Sequence, residues 1–369
     1  MKYNTFFQTL AFDRVLPYEG QVECLVYEGG KPFLQIKAPE AVKVNFRYEE
    51  VDHYCTKDES GIWKTPYTAT SAMNYVQLIV DGVELITPML PISYGYSRPY
   101  NYVELEMEDA FYGIKEVPHG SVRREYFQSS VTGEWESCMV YTPPGYDETY
   151  KTYPVLYLQH GHGENEMGWT AAGKVNFIMD NLIAEGKAVP FVIVMNNGMV
   201  QKVDESGKRV VDFLLFDKYL TEDVIPFIEQ KFRVGGKKVW RGMAGLSMGS
   251  LQTCLTGFAH PEMFDCLGVF SGFVTDIIQG TELDLPGREV SSNEHLKILD
   301  DGQKFNALFN VFFRSMGDKD PFWESFAHDD ELLKEKGITQ VRKVYDGTHD
   351  WNVWRESFKD FASLIFKNV

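Results

Sequence analysis

Two patterns of hydrophobic and polar positions divide this chain. Up to about residue 108, short runs in which apolar and polar residues alternate are separated by turns, at residues 21–27, 33–37, 42–47 and 75–80. Runs of this period and length read as half-buried strands, and the Asp81-Gly82 that closes the last one marks a hairpin. No long amphipathic stretch interrupts the series, so residues 1–108 are predicted to form a small all-β sandwich. From Val117-Pro118-His119-Gly120 the pattern changes. Residues 135–141 read as a strand closed by the turn Pro143-Pro144-Gly145-Tyr146. The apolar runs at 153–158, 189–195, 239–244, 266–270, 307–313 and 340–345 are continuous rather than alternating. Helix-length segments accompany them, at 174–185, 213–232, 251–260, 322–336 and 351–367, and Pro226 should kink or divide the second. Strands covered by helices on both faces look like this, so an α/β domain with a mostly parallel sheet is expected over residues 117–369. Residues 109–116 are left as a linker, and the aromatic stretch from Tyr94 to Tyr102 is expected to pack one domain against the other.

Composition narrows the partners. Acidic residues outnumber basic ones by 53 to 36, a formal charge of -17 in 369 residues. Nucleic acid and anionic membrane would be repelled, whereas a neutral substrate would not. No apolar run approaches the roughly 20 residues that span a bilayer. Residues 1–10 are too polar for the core of a signal peptide, which points to the cytoplasm. Cys24, Cys55, Cys138, Cys254 and Cys266 are odd in number and lack metal-type spacing, as reduced core thiols would. A homo-oligomer is compatible with all of this.

The candidate chemistry centres on Gly245-Leu246-Ser247-Met248-Gly249, between an apolar strand and a helix. A serine there sits on the sharp turn called the nucleophile elbow, where side chains two residues before and after would collide with the neighbouring helix and strand. The turn lifts the Ser247 hydroxyl above the sheet and leaves the Met248 amide at a helix N-terminus, free to donate to a developing oxyanion. A serine hydroxyl needs a base, and the base an orienting acid. Asp318 and Asp320 follow one strand, and His349 follows the last, both at the carboxyl edge where such sheets bind ligands. The order Ser, Asp, His matches this arrangement. Leu158-Gln159-His160-Gly161-His162-Gly163 follows the first core strand, so the amide of His162, or that of Gly161, would complete the oxyanion hole. A rival reading has His160 and His162 binding zinc. Trp169, Phe322, Trp323 and Trp351 lie close in sequence to these loops, either as walls of an acyl pocket or as core.

These residues carry a resemblance. The pentapeptide around Ser247, Arg241 upstream, His260-Pro261-Glu262-Met263-Phe264, Phe270-Ser271-Gly272 and His349-Asp350-Trp351-Asn352-Val353-Trp354-Arg355 are similar to the first family of carbohydrate esterases. Val117-Pro118-His119-Gly120 and Val140–Tyr146 resemble its two-domain feruloyl esterase members. The likeness implies an α/β-hydrolase fold over roughly residues 117–369. It carries over Ser247 as nucleophile, His349 as base, His162 and Met248 as oxyanion amides, and Asp320 as the acid, because it falls three positions after Gly317. Many members have two glycines after the methionine, whereas this chain has Gly249-Ser250. Gly61-Ile62-Trp63-Lys64 and Val80-Asp81-Gly82-Val83 more weakly resemble immunoglobulin-like, glycogen-type carbohydrate-binding modules.

The resemblance implies a serine carboxylic-ester hydrolase working through an acyl-enzyme without cofactor or metal. Its expected substrate is a feruloyl or other hydroxycinnamoyl ester of a plant-derived oligosaccharide. An acetyl (xylan) esterase or an acyltransferase would use the same triad, and a non-catalytic carbohydrate-binding protein is the alternative of another class.

Overall fold

The computed structural model describes residues 20–69, 71–105, 107, 109–272, 274 and 293–369. Two compact units emerge, Met1–Glu108 and Asp109–Val369. The first contains only strands among its described residues. Leu25–Glu28, Lys31–Lys37, Ile62–Pro66 and Thr56–Lys57 form one antiparallel sheet, in that order. Val51–Tyr54, Val44–Tyr48, Met73–Val80, Arg98–Glu104 and Ile92–Gly95 form the second, with Val83–Leu85 also paired to Met73–Val80. Alternate residues of both sheets, among them Leu34, Phe46, Trp63, Val76 and Leu78, meet in one core. The turn at Asp81-Gly82 has φ of 50° and 83°, as a two-residue hairpin with right-handed strand twist requires. The stretch from Tyr94 to Tyr102 lies in a hairpin of this unit, pairing Ile92–Gly95 with Arg98–Glu104.

The second unit is built on an eight-stranded sheet. Its strands are β1 (Ser121–Gln128), β2 (Trp135–Thr142), β3 (Val155–Gln159), β4 (Val192–Asn196), β5 (Arg241–Leu246), β6 (Cys266–Phe270), β7 (Val311–Gly317) and β8 (Val341–Tyr345), in the order β1-β2-β4-β3-β5-β6-β7-β8. β1 and β2 are antiparallel to their neighbours, and the other six run parallel. β3, β4 and β6 are buried at every position, which is why they read as unbroken apolar runs. Helices cover both faces: α1 (Val175–Ala184), α2 (Ile225–Lys231), α3 (Met248–Ala259), α4 (Trp323–Glu335) and α5 (Trp351–Ala362). Cys254 and Phe258 of α3 join Tyr157, Met243 and Leu267 on one face. On the other, Phe361 of α5 packs its ring 5.6 Å from Phe313 and 5.7 Å from Phe270.

Pro226 divides its helical segment as expected, and the structure shows how. Tyr219–Val224 winds as a π-helical turn before α2, with the proline in the first turn of α2, where a missing amide costs nothing. Two boundaries differ from expectation. β7 begins at Val311 rather than near 307, because Asp301 caps a helix at Gly302–Leu308 by accepting from the Lys304 amide at 3.1 Å. Residues 109–116 belong to the second unit, where Asn181 Nδ2 donates to the carbonyls of Phe111 and Gly113, both at 2.9 Å.

Candidate active site

Strand register brings four loops to one edge of the sheet. Gln159 of β3 pairs with Gly245 of β5, Leu246 with Phe270 of β6, Phe270 with Ser315 of β7, and Gly317 with Tyr345 of β8. The chain leaves these strands as residues 160–163, 247, 318–320 and 346–349, so every proposed catalytic residue stands at the same carboxyl edge.

Ser247 occupies the turn from β5 into α3 with φ 51° and ψ −117°, a conformation that ordinary residues adopt only under constraint. The constraint is visible in its neighbours. A Cβ on Gly245 would lie 2.4 Å from the carbonyl carbon of Gly249, and one on Gly249 would lie 2.7 Å from the carbonyl oxygens of Gln159 and His160. The helix thus excludes a side chain at the first position and β3 excludes one at the second. Ser247 N–H donates to Phe270 O at 2.9 Å, and Ser250 Oγ–H donates to Ser247 O at 2.6 Å. Ser250, the departure from the double glycine, therefore grips the elbow. Its hydroxyl fills the space where a Cβ on Gly272 would sit, 1.6 Å away.

The two remaining loops are zipped together. Asp318 N–H donates to Tyr345 O at 2.8 Å and Lys319 N–H to Gly347 O at 2.9 Å. A Cβ on Gly317 would lie 2.5 Å from Gly347 O, so glycine permits this approach. Within that frame His349 Nδ1 lies 2.8 Å from Asp320 Oδ2, whose side chain is 0% exposed. Asp320 Oδ1 accepts from the Phe322 amide at 3.0 Å, while Asp318 Oδ1 is engaged by the Gly347 amide. The fork between the two aspartates is resolved by contact: Asp320 meets the imidazole.

Across the edge, Met248 opens α3, whose first turn leaves amides without intrahelical acceptors. Gly161 N–H donates to Glu164 Oε2 at 2.9 Å. That amide is occupied and is not open to a substrate oxygen. His160 is buried, with Nδ1–H on Gly161 O and Nε2 accepting from Gly198 N–H, both at 2.8 Å, and burial pushes its proton affinity down. Both ring nitrogens are used, so the zinc reading fails at this residue. Among the described residues no group of three or more His, Cys, Asp or Glu is set to hold a metal ion, and no helix is long and apolar enough to cross a membrane.

The four aromatics separate. Trp169 and Trp351 are each 1% exposed, pack edge to face at 5.2 Å, and belong to the core, which corrects their reading as pocket walls. Trp169 Nε1–H is spent on Gln159 O at 2.9 Å. Phe322 stands with its ring 5.2 Å from that of His349. Trp323 lies on α4 with the Arg342 guanidinium over its ring. Two residues were given no role at the site by the sequence reading: Trp354 on α5, whose ring stands 5.2 Å from that of His349, and Glu164. Trp354 lies five positions after His349, which is one helical turn past Asp350, the N-cap residue of α5. Glu164 carries no spacing signal.

Comparison with known proteins follows the same outline. The model of a family described as putative esterase matches residues 129–363. A xylanase/feruloyl esterase of Xylanibacter ruminicola is 34% identical over 322 residues, 84% of this chain and 41% of that protein, so this chain spans less than half of its relative. Among solved structures, a CE1 ferulic acid esterase of Anaeromyces mucronatus bound to ferulic acid superposes with a TM-score of 0.59 at 23% identity, over 70% of this chain and 96% of that one. The enterobactin esterase of Shigella flexneri gives 0.61 at 12% identity, over 94% and 96%. The sheet is thus that of the α/β-hydrolase esterases, and the chain belongs to the esterase family.

Proposed function

We propose that this chain is a serine carboxylic-ester hydrolase that releases hydroxycinnamic acids, ferulic acid foremost, from esters of plant-derived oligosaccharides. The observation that carries the reading is the 2.8 Å bond from His349 to a fully covered Asp320, at the same sheet edge as a serine held at φ 51°. In this reading His349 removes the Ser247 proton while Asp320 holds the imidazole tautomer and stabilises its cation. Ser247 attacks the ester carbonyl, and the oxyanion settles between the Met248 and His162 amides, each typically worth about 3 kcal/mol. The alcohol leaves with the proton from His349, and water repeats the cycle on the acyl-enzyme.

The feruloyl preference is supported by the relative from Xylanibacter ruminicola and by the ring of Phe322 beside His349. The paired antiparallel sheets on one core suit an immunoglobulin-like, carbohydrate-binding-module-like role for the first unit. Five unbridged thiols suit a reducing, cytoplasmic setting.

Comparing methyl ferulate, p-nitrophenyl acetate and acetylated xylo-oligosaccharide at matched concentration tests the acyl group; a preference for the acetyl esters overturns the feruloyl reading. Ser247→Ala should lower kcat by about a million-fold and abolish fluorophosphonate labelling. Equal labelling of the variant and the unaltered chain would falsify the hydrolase itself.

A further inference from the structure

One carboxyl group beside the nucleophile has no part in the mechanism above. Glu164 Oε2 accepts the Gly161 amide at 2.9 Å, and its carboxyl also takes a hydrogen bond from Trp351, at the start of α5 two residues beyond His349. Its place is close to the reacting atoms. From the point where a Cβ on Gly161 would stand, Glu164 Oε2 lies 3.4 Å away, Ser247 Cβ 3.6 Å and Leu246 Cδ1 2.7 Å. The carboxyl oxygen therefore lies no more than about 7 Å from Ser247 Cβ, with the Leu246 side chain in the same space, which is near enough for unscreened charges to matter.

We propose that Glu164 is a positioning residue that latches the oxyanion loop to the His349-bearing end of α5 in its protonated form, and that its ionisation switches the site off on the alkaline side. The proposal rests on the reading of Ser247 and the His162 amide as the reacting groups. A neutral acid keeps a carbonyl oxygen for the Gly161 amide and places no charge beside the tetrahedral intermediate. A carboxylate would set a second negative charge beside the oxyanion. Over roughly 7–10 Å and an effective dielectric constant near 20, that repulsion slows the reaction on the order of ten- to fifty-fold.

Opposing influences meet at the half-buried Glu164. Loss of water around the carboxyl is the largest influence and pushes it up to about 8, against the opposing bonds from Gly161 and Trp351. The ionisable groups on the elements around it are His160, His162 and Glu166 on its own loop, and His349 and Asp350 ahead of Trp351. Burial disfavours the charged form of His160, whose Nε2 accepts from the Gly198 amide. Glu166 is turned to Ser137 and Arg124, His349 is bonded to Asp320, and Asp350 caps α5. His162 is exposed to water. None of them forms an ion pair with Glu164 among the described residues.

The test is the pH dependence of kcat on methyl ferulate between about pH 6 and pH 10, for the full chain and for Glu164→Gln and Glu164→Ala. The unaltered chain should lose about tenfold or more in kcat above pH 8, while Glu164→Gln, neutral and still able to accept from Gly161, stays within about twofold of its pH 7 value. Glu164→Ala, which unlatches the loop, should be slower at every pH. A decline in Glu164→Gln that matches the unaltered chain, a flat profile for the unaltered chain, or an inactive Glu164→Gln would each overturn the proposal.

A second readout does not depend on the reaction. A carboxyl raised in the folded state destabilises it progressively as pH climbs from the unfolded value, about 4.3, to the folded one. The melting temperature of Glu164→Gln relative to the unaltered chain should therefore rise over that window, and a constant difference overturns the proposal. If instead Ser247→Ala keeps its activity, the hydrolase reading fails while the melting comparison still reports on Glu164.

Discussion

At the scale of residues, the imidazole of His349 is fixed by one carboxylate on its Nδ1 side and by the rings of Phe322 and Trp354, both at 5.2 Å. Asp320→Asn preserves the acceptor for the Phe322 amide but offers an amide donor where the imidazole also donates, favouring the wrong tautomer. Its kcat should fall by about 10⁴-fold with little change in KM. Asp318→Asn keeps an acceptor for the Gly347 amide and should stay within about threefold in kcat, since that residue touches no reacting group. Steady-state kinetics of both variants on methyl ferulate checks the pair. The sequence could not separate these aspartates from local pattern alone, because both lie in one loop after β7; resemblance favoured Asp320, and the hydrogen bond places it against the histidine. Trp169 and Trp351 mislead for a different reason. Sequence proximity to a catalytic loop does not say which way a ring points, and both rings point inward. Glu164 was illegible because its significance comes from contacts with Gly161 and Trp351, the latter 187 positions away by number.

At the scale of elements, the elbow is a packing problem in which α3 must begin against β3. Gly249→Ala puts a Cβ 2.7 Å from two backbone carbonyl oxygens that cannot rotate away. The helix start has to shift, at a cost of about 1–3 kcal/mol in stability, and kcat falls because Ser247 and Met248 move with it. Gly186→Ala is the control: it has φ +66° and nothing within 4 Å, so it should cost about 1 kcal/mol through backbone strain alone and leave kcat unchanged. Urea titration alongside turnover measures both. The parallel strands could be read in advance because burial on two faces demands continuous apolar residues. β1 could not: as the edge strand it reads Ser-Val-Arg-Arg-Glu-Tyr-Phe-Gln and is mostly open to water. The start of β7 was misplaced because the apolar residues Phe305, Ala307 and Leu308 belong to a short capped helix, and a short apolar run does not reveal its own period.

At the scale of the whole molecule, two properties bear on the choice of substrate. With a formal charge of -17, the protein repels anions over a Debye length of about 10 Å at 0.1 M salt. A neutral ester such as methyl ferulate should show kcat/KM constant within about 1.5-fold between low and moderate salt, whereas a uronic-acid-bearing ester should react faster as salt is added. The second property is the division of labour between the units. Ser247, Asp320, His349 and the loop at 160–163 all lie within Asp109–Val369, which has its own sheet and core. Removing residues 1–108 should therefore leave kcat on methyl ferulate within about threefold, provided that core suffices for folding, which circular dichroism and a cooperative melt would report. If the first unit holds sugar, the same truncation raises KM for a feruloylated oligosaccharide several-fold without changing kcat, because binding remote from the ester adds equally to ground and transition states. An unchanged KM on the oligosaccharide, measured beside an unchanged kcat on methyl ferulate, would remove carbohydrate binding from the role of the N-terminal sheets.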